Sequence, residues 1–534
     1  VANEWPIESR VVGTALRRQA ERQPDAPLLT FGDLRQSYGQ FDASANRMAH
    51  LLSRLGVSKG DRVALMMPNS PEFLWSWFGA AKLGAIYVPI NTDYLGDILR
   101  YQLAKAEVSH IVIDASFLGR LADVIDGVPT LRHVVVRGAA QSALPRVNLV
   151  SVTEMERESA SDPGIEQHYT DPHAISFTSG TTGPSKGVLA TNCHVTTFAL
   201  DWIECTGFRP DDRLYSCLPQ FHAIATWLGF LPTILSGASA TVTERFSASR
   251  FWDDVRAANA TVAHGIFSMI PILLKQPPRP DDATQPARVF YIGQQNEEFE
   301  RRFNCRIVEV FGSTETGIVT YTPLDTPRRK GSCGKANNRT FDVMLVDDED
   351  QEVAPGQVGE IVVRPRQPWS MLREYYGMPS ETIQAFRNLW FHTGDAAKAD
   401  ADGYLYFVDR KKDAIRRRGE NISSFELESV VNRMPEVLEC AAVAVKSELT
   451  EDDVKIVIVR QPEAPLTAQQ VWAFCEAYMP RFWVPRYVEF RDSLPKTPNQ
   501  KVQKYLLRER SDAGDLHDRG EFTASARGSR APSP

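Results

Sequence analysis

Apolar residues recur at helical spacing early in the chain. Phe41, Ala45, Met48, Leu52 and Leu55 fall three or four positions apart, which is one face of a helix. Gly60-Asp61-Arg62 then turns the chain into Val63-Ala64-Leu65-Met66, a short apolar run that reads as a buried strand. A second helix is predicted from about Pro71 to Leu83. It is closed by Gly84 and followed by the strand Ile86-Tyr87-Val88-Pro89; glycine after the last periodic residue is a helix stop. His110-Ile111-Val112-Ile113-Asp114 reads as a further buried strand. Strands alternating with helices predict α/β architecture with parallel-sheet subdomains.

Near residue 340 the pattern changes. Val343-Met344-Leu345-Val346, the turn Gly356-Gln357-Val358-Gly359-Glu360 and Ile361-Val362-Val363 predict a β-rich subdomain, and Asp402-Gly403-Tyr404-Leu405-Tyr406-Phe407-Val408 reads as a hairpin strand. A compact α+β unit follows, with a helix at about 425–433, strands at 440–446 and 454–460, a helix at 467–478 and a strand at 487–491. The boundary is expected at Asp409/Arg410. It separates a large N-terminal domain, residues 1–409, from a small C-terminal domain, 410–510. Ser511 to Pro534 is rich in Gly, Ser, Ala, Asp and Arg and is expected to be a disordered tail.

Composition narrows the classes. The chain has 534 residues, 43% of them hydrophobic and 24% charged, which are globular values. A net charge of −7 gives no pull toward nucleic acid or an anionic membrane. No apolar run of about 18 residues predicts a membrane span, and Val1-Ala2-Asn3-Glu4 opens no secretory pattern. The seven cysteines, Cys193, Cys205, Cys217, Cys305, Cys333, Cys440 and Cys475, form no CxxC or Cys/His cluster. They read as free thiols in a reducing compartment, so the cytoplasm is the expected location.

The candidate chemistry begins at Ser179-Gly180-Thr181-Thr182-Gly183-Pro184-Ser185-Lys186-Gly187, after the strand-like Ala174-Ile175-Ser176-Phe177. Glycines let several backbone N–H groups converge on one anion. Hydroxyls add donors and Lys186 adds a charge, so the expected tenant is a polyphosphate. It is not a Walker A loop, because Lys186 follows Ser185 and precedes Gly187. Further segments follow in order: Phe221-His222, Phe311-Gly312-Ser313-Thr314-Glu315, Trp390-Phe391-His392-Thr393-Gly394-Asp395, Asp409-Arg410-Lys411-Lys412-Asp413, Gly419-Glu420-Asn421-Ile422 and Leu494-Pro495-Lys496-Thr497-Pro498-Asn499-Gln500-Lys501. Each is weak alone. The ordered set over residues 37–508 resembles the adenylate-forming superfamily, in particular its acyl-CoA ligase branch, including crotonobetaine/carnitine-type CoA ligases.

The resemblance implies a carboxylic acid attacking the α-phosphate of Mg–ATP, then coenzyme A displacing AMP from the acyl-adenylate, with the small α+β domain mobile between the steps. It implies that Thr178, Ser179, Gly180, Thr181, Thr182, Gly183 and Lys186 wrap the phosphates. Thr314 would touch the α-phosphate and Glu315 would hold Mg²⁺, a hard cation suited to a carboxylate. Asp395 and Arg410 would contact the ribose, Phe311 the base, and Lys412 would be the hinge. Lys501 would stabilise charge during adenylation. Phe221 and His222 would gate the acyl pocket, Gly419 would line the thiol tunnel, and Trp227, His264, Ile266, Phe267, Gly293 and Ile318 would line a mostly apolar acyl pocket. A similarity to ligases of actinomycete natural-product pathways such as those of platensimycin and platencin would imply a bulky diterpenoid acid. Relatives are often homodimers.

Three departures from the family pattern bear on the first half-reaction. Gln294 and Gln295, in Tyr291-Ile292-Gly293-Gln294-Gln295-Asn296, replace small residues expected against adenine. Val310 stands where glycine is usual, and Gln500 where glycine precedes the catalytic lysine. A non-glycine residue forced to positive φ costs about 1–2 kcal/mol. These departures leave open a thioesterification-only enzyme fed acyl-AMP by a partner ligase, beside the full two-step ligase. A noncatalytic binding relative is a third reading, opposed by Lys186, Glu315, Asp395, Arg410 and Lys501. A separate carrier protein in place of coenzyme A also stays open.

Overall fold

The structure, a computed structural model, describes residues 4–139, 144–178, 185–266, 269–291, 295–410, 415–417, 420–422, 424–446, 452–479, 483–496, 502–508 and 515–520. The chain divides into two compact units, with the main break at Phe407/Val408 and Gly394–Ala396 grouped with the smaller unit. The boundary expected at Asp409/Arg410 falls inside a continuous strand, Leu405–Arg410.

The larger unit is built on two wide sheets. One has eight strands, in the order Glu374–Tyr375, Gly187–Thr191, Pro172–Phe177, Ile86–Pro89, Arg62–Met66, His110–Asp114, His133–Arg137 and Asn148–Ser151. Its central pairs are parallel, but Gly187–Thr191 runs antiparallel to both its neighbours. The other has seven strands, parallel except for the edge hairpin Pro27–Phe31 with Leu34–Ser37. Among the described residues, the β-rich region comprises a three-stranded and a four-stranded sheet within residues 310–410.

The helix predicted by Phe41, Ala45, Met48 and Leu52 is Tyr38–Arg54, and those four side chains are buried. It starts at a reciprocal cap, with Ser37 Oγ accepting from Gln40 N–H and Gln40 Oε1 accepting from Ser37 N–H. The capping box satisfies two donors that the helix cannot. It packs on the helix Pro71–Lys82 at Gly79, where a Cβ would lie 2.9 Å from Met48 Cγ and 3.0 Å from the Ala49 nitrogen. Lys82 ends that second helix almost wholly buried, with Nζ 2.8 Å from Asp42 Oδ1 and 2.9 Å from Asp162 Oδ2.

The smaller unit carries a four-stranded sheet in the order Val437–Lys446, Asp452–Arg460, Tyr487–Phe490, Asp515–Asp518, with helices Ser424–Val431 and Ala468–Tyr478. The last strand departs from the expected disordered tail at Asp515–Asp518 alone, since 511–514 and 521–534 lie outside the described residues. Asp515–Asp518 pairs antiparallel with Tyr487–Phe490. Its acidic ends meet arginines: Asp518 Oδ1 accepts from Arg486 Nε at 3.1 Å, and Asp515 Oδ2 from Arg460 Nη2 at 3.2 Å. A strand edge that needs partners and two cations organise a segment whose composition alone would not fold.

All seven cysteines are free and buried. Burial pushes their thiols up, Cys217 and Cys475 to about 12. Among the described residues no helix is long and apolar enough to cross a membrane.

Candidate active site

The phosphate-loop sequence joins two antiparallel strands, Pro172–Phe177 and Gly187–Thr191. Its neck is closed from one side by Thr178, whose N–H and Oγ1 both donate to the Lys186 carbonyl, at 3.0 and 3.3 Å. On the other side Tyr101, from the helix Gly96–Lys105, donates its hydroxyl to the Ser185 carbonyl at 3.1 Å. Ser179, Gly180, Thr181, Thr182 and Gly183 lie outside the described residues.

Lys186 and Glu315 come to the same tyrosine. The Lys186 Nζ stands 4.6 Å from the centroid of the Tyr375 ring. The Tyr375 hydroxyl donates to Glu315 Oε1 at 3.2 Å. Tyr375 is buried; burial first, and then the adjacent Glu315 carboxylate, push its phenol well above the ordinary value, so it stays a proton donor. Glu315 sits with Thr314 and Thr316 in the turn between strands Val310–Ser313 and Gly317–Tyr321, where Ser313 Oγ accepts from Thr316 N–H. The hairpin is tight: a Cβ on Gly312 would lie 2.1 Å from the Gly317 carbonyl oxygen, so only glycine fits.

The hairpin also settles the direction of Val310. Successive strand residues point to opposite faces. Val310 packs against the main core that holds Trp227 and Ile318, whereas Phe311 packs with the Phe341 and Tyr375 core. Val310 is half-buried in that packing. Phe311 lies half-buried, 6.2 Å from the Phe407 ring at 32°.

Phe221 and His222 are half-buried neighbours, their rings 4.6 Å apart. The preceding Gln220 is locked on both sides, its N–H donating to Asn69 Oδ1 at 2.7 Å and its Oε1 accepting from Ser70 N–H at 2.9 Å. Immediately beyond comes a π-helical turn, Thr226–Phe230. Such turns widen a helix and often occur at functional sites. Its Trp227 is fully buried and donates to the Tyr87 hydroxyl at 2.5 Å. Its Gly229 admits His264, since a Cβ there would stand 2.8 Å from the imidazole. His264 also meets Trp202, with ring centroids 5.4 Å apart, and burial lowers its pKa to about 3, so it is neutral. Ile318 is buried and Ile266 partly exposed; Phe267 and Gly293 lie outside the described residues.

Asp395 is buried in the strand Phe391–Ala399, after Gly394 at φ +75°. Thr393 Oγ1 donates to the Ile361 carbonyl at 2.7 Å, anchoring the start of that strand. Arg410 ends its strand, but its side chain lies outside the description. Gln295 is half-buried just before the helix Glu297–Phe303. Gln294, Lys412, Gly419, Gln500 and Lys501 lie outside the described residues.

Sequence reasoning missed Tyr375, Tyr101 and His194. His194 is wholly buried one helical turn before Phe198, 5.9 Å from the Trp227 ring, and burial lowers its pKa to about 3. None of these three sits in a spacing that announces chemistry. Among the described residues no group of three His, Cys, Asp or Glu could hold a metal by itself. A single carboxylate such as Glu315 suits Mg²⁺ carried in on phosphate oxygens, since that ion usually keeps waters and substrate ligands.

The chain is similar to known proteins over most of its length. Residues 16–376 match the AMP-binding enzyme family and residues 426–501 the AMP-binding enzyme C-terminal domain. The crotonobetaine/carnitine–CoA ligase of Salmonella paratyphi A is 35% identical over 488 residues, covering 89% of this chain and 94% of that protein. The anthranilate CoA ligase AuaEII, solved in complex with anthranoyl-AMP, superposes with a TM-score of 0.84 at 25% identity, covering 95% of this chain and 98% of that one. ATP-bound MatB from Rhodopseudomonas palustris gives 0.83 at 28% identity, covering 93% and 98%.

Proposed function

Because the chain belongs to the AMP-binding enzyme family and is an acid–thiol ligase of the AMP-forming acyl-CoA synthetase type, we propose that it performs both half-reactions on one carboxylic acid. In the first, the acid's carboxylate oxygen attacks the α-phosphorus of ATP, a new O–P bond forms and pyrophosphate leaves. In the second, the thiol sulfur of coenzyme A attacks the acyl carbon, the C–O bond to AMP breaks, and the thiol proton is lost to solvent. The adenylate step turns a poor leaving group into a good one.

The observation that carries this reading is the meeting of Lys186 and Glu315 at Tyr375, one cation and one carboxylate held a tyrosine apart. In our reading Lys186 and the loop from Thr178 to Gly183 receive phosphate oxygens, Thr314 the α-phosphate, and Glu315 a magnesium ion. Bound Mg²⁺ would neutralise phosphate charge and favour departure of pyrophosphate. Asp395 and Arg410 hold the ribose, Phe311 the base, Lys501 the charge developing at adenylation, and Gly419 the pantetheine path after a swing about Lys412. Phe221 and His222 control access to the acyl pocket.

We read the acid as apolar in body, because Trp227, Ile318 and the neutral His264 are its candidate surroundings; a diterpenoid acid is the bulky extreme. The cytoplasm and a homodimer remain parts of this reading. The thioester-only alternative, with its partner ligase, rests on Gln294, Gln295 and Val310.

The test supplies Mg–ATP and coenzyme A with a panel of acids: carnitine, crotonobetaine, anthranilate and a diterpenoid acid. Acid-dependent pyrophosphate release and an acyl-CoA mass are expected for at least one member. No release with any acid, together with thioester formation from a synthetic acyl-adenylate, would favour the half-reaction. Lys186→Ala is expected to weaken Mg–ATP binding at least tenfold, with an unchanged unfolding midpoint.

A further inference from the structure

The segment 372–376 ties together the two charged groups on which the functional reading rests. Its backbone is fastened to both of their loops. Leu372 N–H donates to the Glu315 carbonyl at 2.8 Å, Arg373 N–H to the Leu189 carbonyl at 2.9 Å and Tyr376 N–H to the Gly187 carbonyl at 2.8 Å. Tyr375 is thereby fixed between the Glu315 turn and the strand that begins beside Lys186. Its side chain then meets the two charges in different ways. The ring face receives the Lys186 ammonium at 4.6 Å, within cation–π range. The hydroxyl donates to the Glu315 carboxylate at 3.2 Å.

A lysine and a glutamate that share one cleft will pair with each other when nothing separates them. Such a pair would neutralise the cation meant for phosphate and the carboxylate meant for a metal. We propose that Tyr375 is a positioning residue that keeps Lys186 and Glu315 from pairing and holds each toward its own charge on the magnesium nucleotide. The ring is the barrier and the seat for the ammonium; the hydroxyl fixes the carboxylate. Tyr375→Phe keeps the ring and drops the hydroxyl, and Tyr375→Leu drops both.

The experiment is calorimetric titration of ATP into the full chain over a series of free Mg²⁺ concentrations, without any acid. For Tyr375→Phe, the Mg²⁺ needed for half of the metal-dependent gain in affinity is expected to rise about tenfold, the usual scale for losing a hydrogen bond to a charged group. Its metal-free ATP affinity stays within about twofold of wild type, because the ring still seats Lys186. For Tyr375→Leu, metal-free ATP affinity is expected to fall about fivefold as Lys186 pairs with Glu315. Adding Glu315→Gln to Tyr375→Leu should restore it, a rescue that a merely structural role would not produce. An unchanged Mg²⁺ dependence in Tyr375→Phe overturns the proposal alone, as does a double variant no better than Tyr375→Leu. If Tyr375→Leu does not fold, the isosteric phenylalanine variant decides. A wild type that binds no ATP at any Mg²⁺ concentration overturns the functional reading and this proposal with it.

Discussion

Replacing Lys82 by methionine isolates one buried charge. Methionine keeps much of the aliphatic stem and removes the ammonium that lies 2.8 Å from Asp42 and 2.9 Å from Asp162. Breaking a buried ion pair from one side costs about 3–5 kcal/mol, because the remaining charge stays desolvated. Asp162 keeps 28% of its side-chain surface in water, so the lower end, about 3 kcal/mol, is expected. Burial pushes the Asp162 carboxyl up. Hydrogen bonds from Lys82 and the Gly164 N–H, and the charges of Lys82 and Arg17, outweigh that and hold it below the usual carboxylate range. Its pairing therefore stabilises the wild type above the unfolded carboxylate value, about 3.9, and the contribution is lost as pH falls through the lower folded value. The deficit of Lys82→Met should accordingly be full from pH 7 down to about pH 4 and shrink as pH falls further, below the unfolded carboxylate value. Urea unfolding can be followed by the fluorescence of Trp77, buried in the same helix. Adding Asp42→Asn and Asp162→Asn should recover most of the loss. A deficit under about 1 kcal/mol at pH 7 would refute the reasoning, since an exposed pair is worth no more than that. So would a deficit indifferent to pH or to the two asparagines.

Two further predictions concern the hairpin and the chain end. Gly312→Ala should destabilise the larger unit by about 3 kcal/mol and weaken Mg–ATP binding, because its Cβ must displace the Gly317 carbonyl 2.1 Å away; an alanine variant with wild-type urea midpoint and ATP affinity would refute this. Arg486→Ala removes the donor to Asp518 and to Asp453, the latter at 2.8 Å. Hydrogen exchange within Asp515–Asp518 should quicken about tenfold, the loss of about 1.4 kcal/mol expected for a charge-assisted bond; unchanged protection would mean that the strand pairing alone holds the segment.

The sequence was most legible where the fold is local. Tyr38–Arg54 follows from its apolar spacing and its Ser37/Gln40 cap, and the smaller unit's helices and strands lie close to the predicted segments. Lys186 and Glu315 were legible as charges within ordered motifs. Tyr375 was not: it meets partners 60 and 189 positions away, and nothing in Glu374-Tyr375-Tyr376 announces that both of them lie beside one ring. The packing of Val310 against the core that holds Trp227 required the tertiary fold. Asp515–Asp518 has the composition of a tail; the edge of Tyr487–Phe490 and two distant arginines make it a strand. In each case the deciding energy comes from a partner remote in the chain.

The burial of every cysteine makes the protein its own opening sensor. A thiol-reactive probe requires an accessible thiolate, and here burial denies access and disfavours ionisation together. The folded chain should resist alkylation until a region opens, and each modified residue then records which region opened. Cys440 and Cys475 belong to the smaller unit and the other five to the larger. A brief alkylation pulse followed by peptide mass mapping would thus separate the breathing of one unit from that of the other in native protein, with no label engineered in.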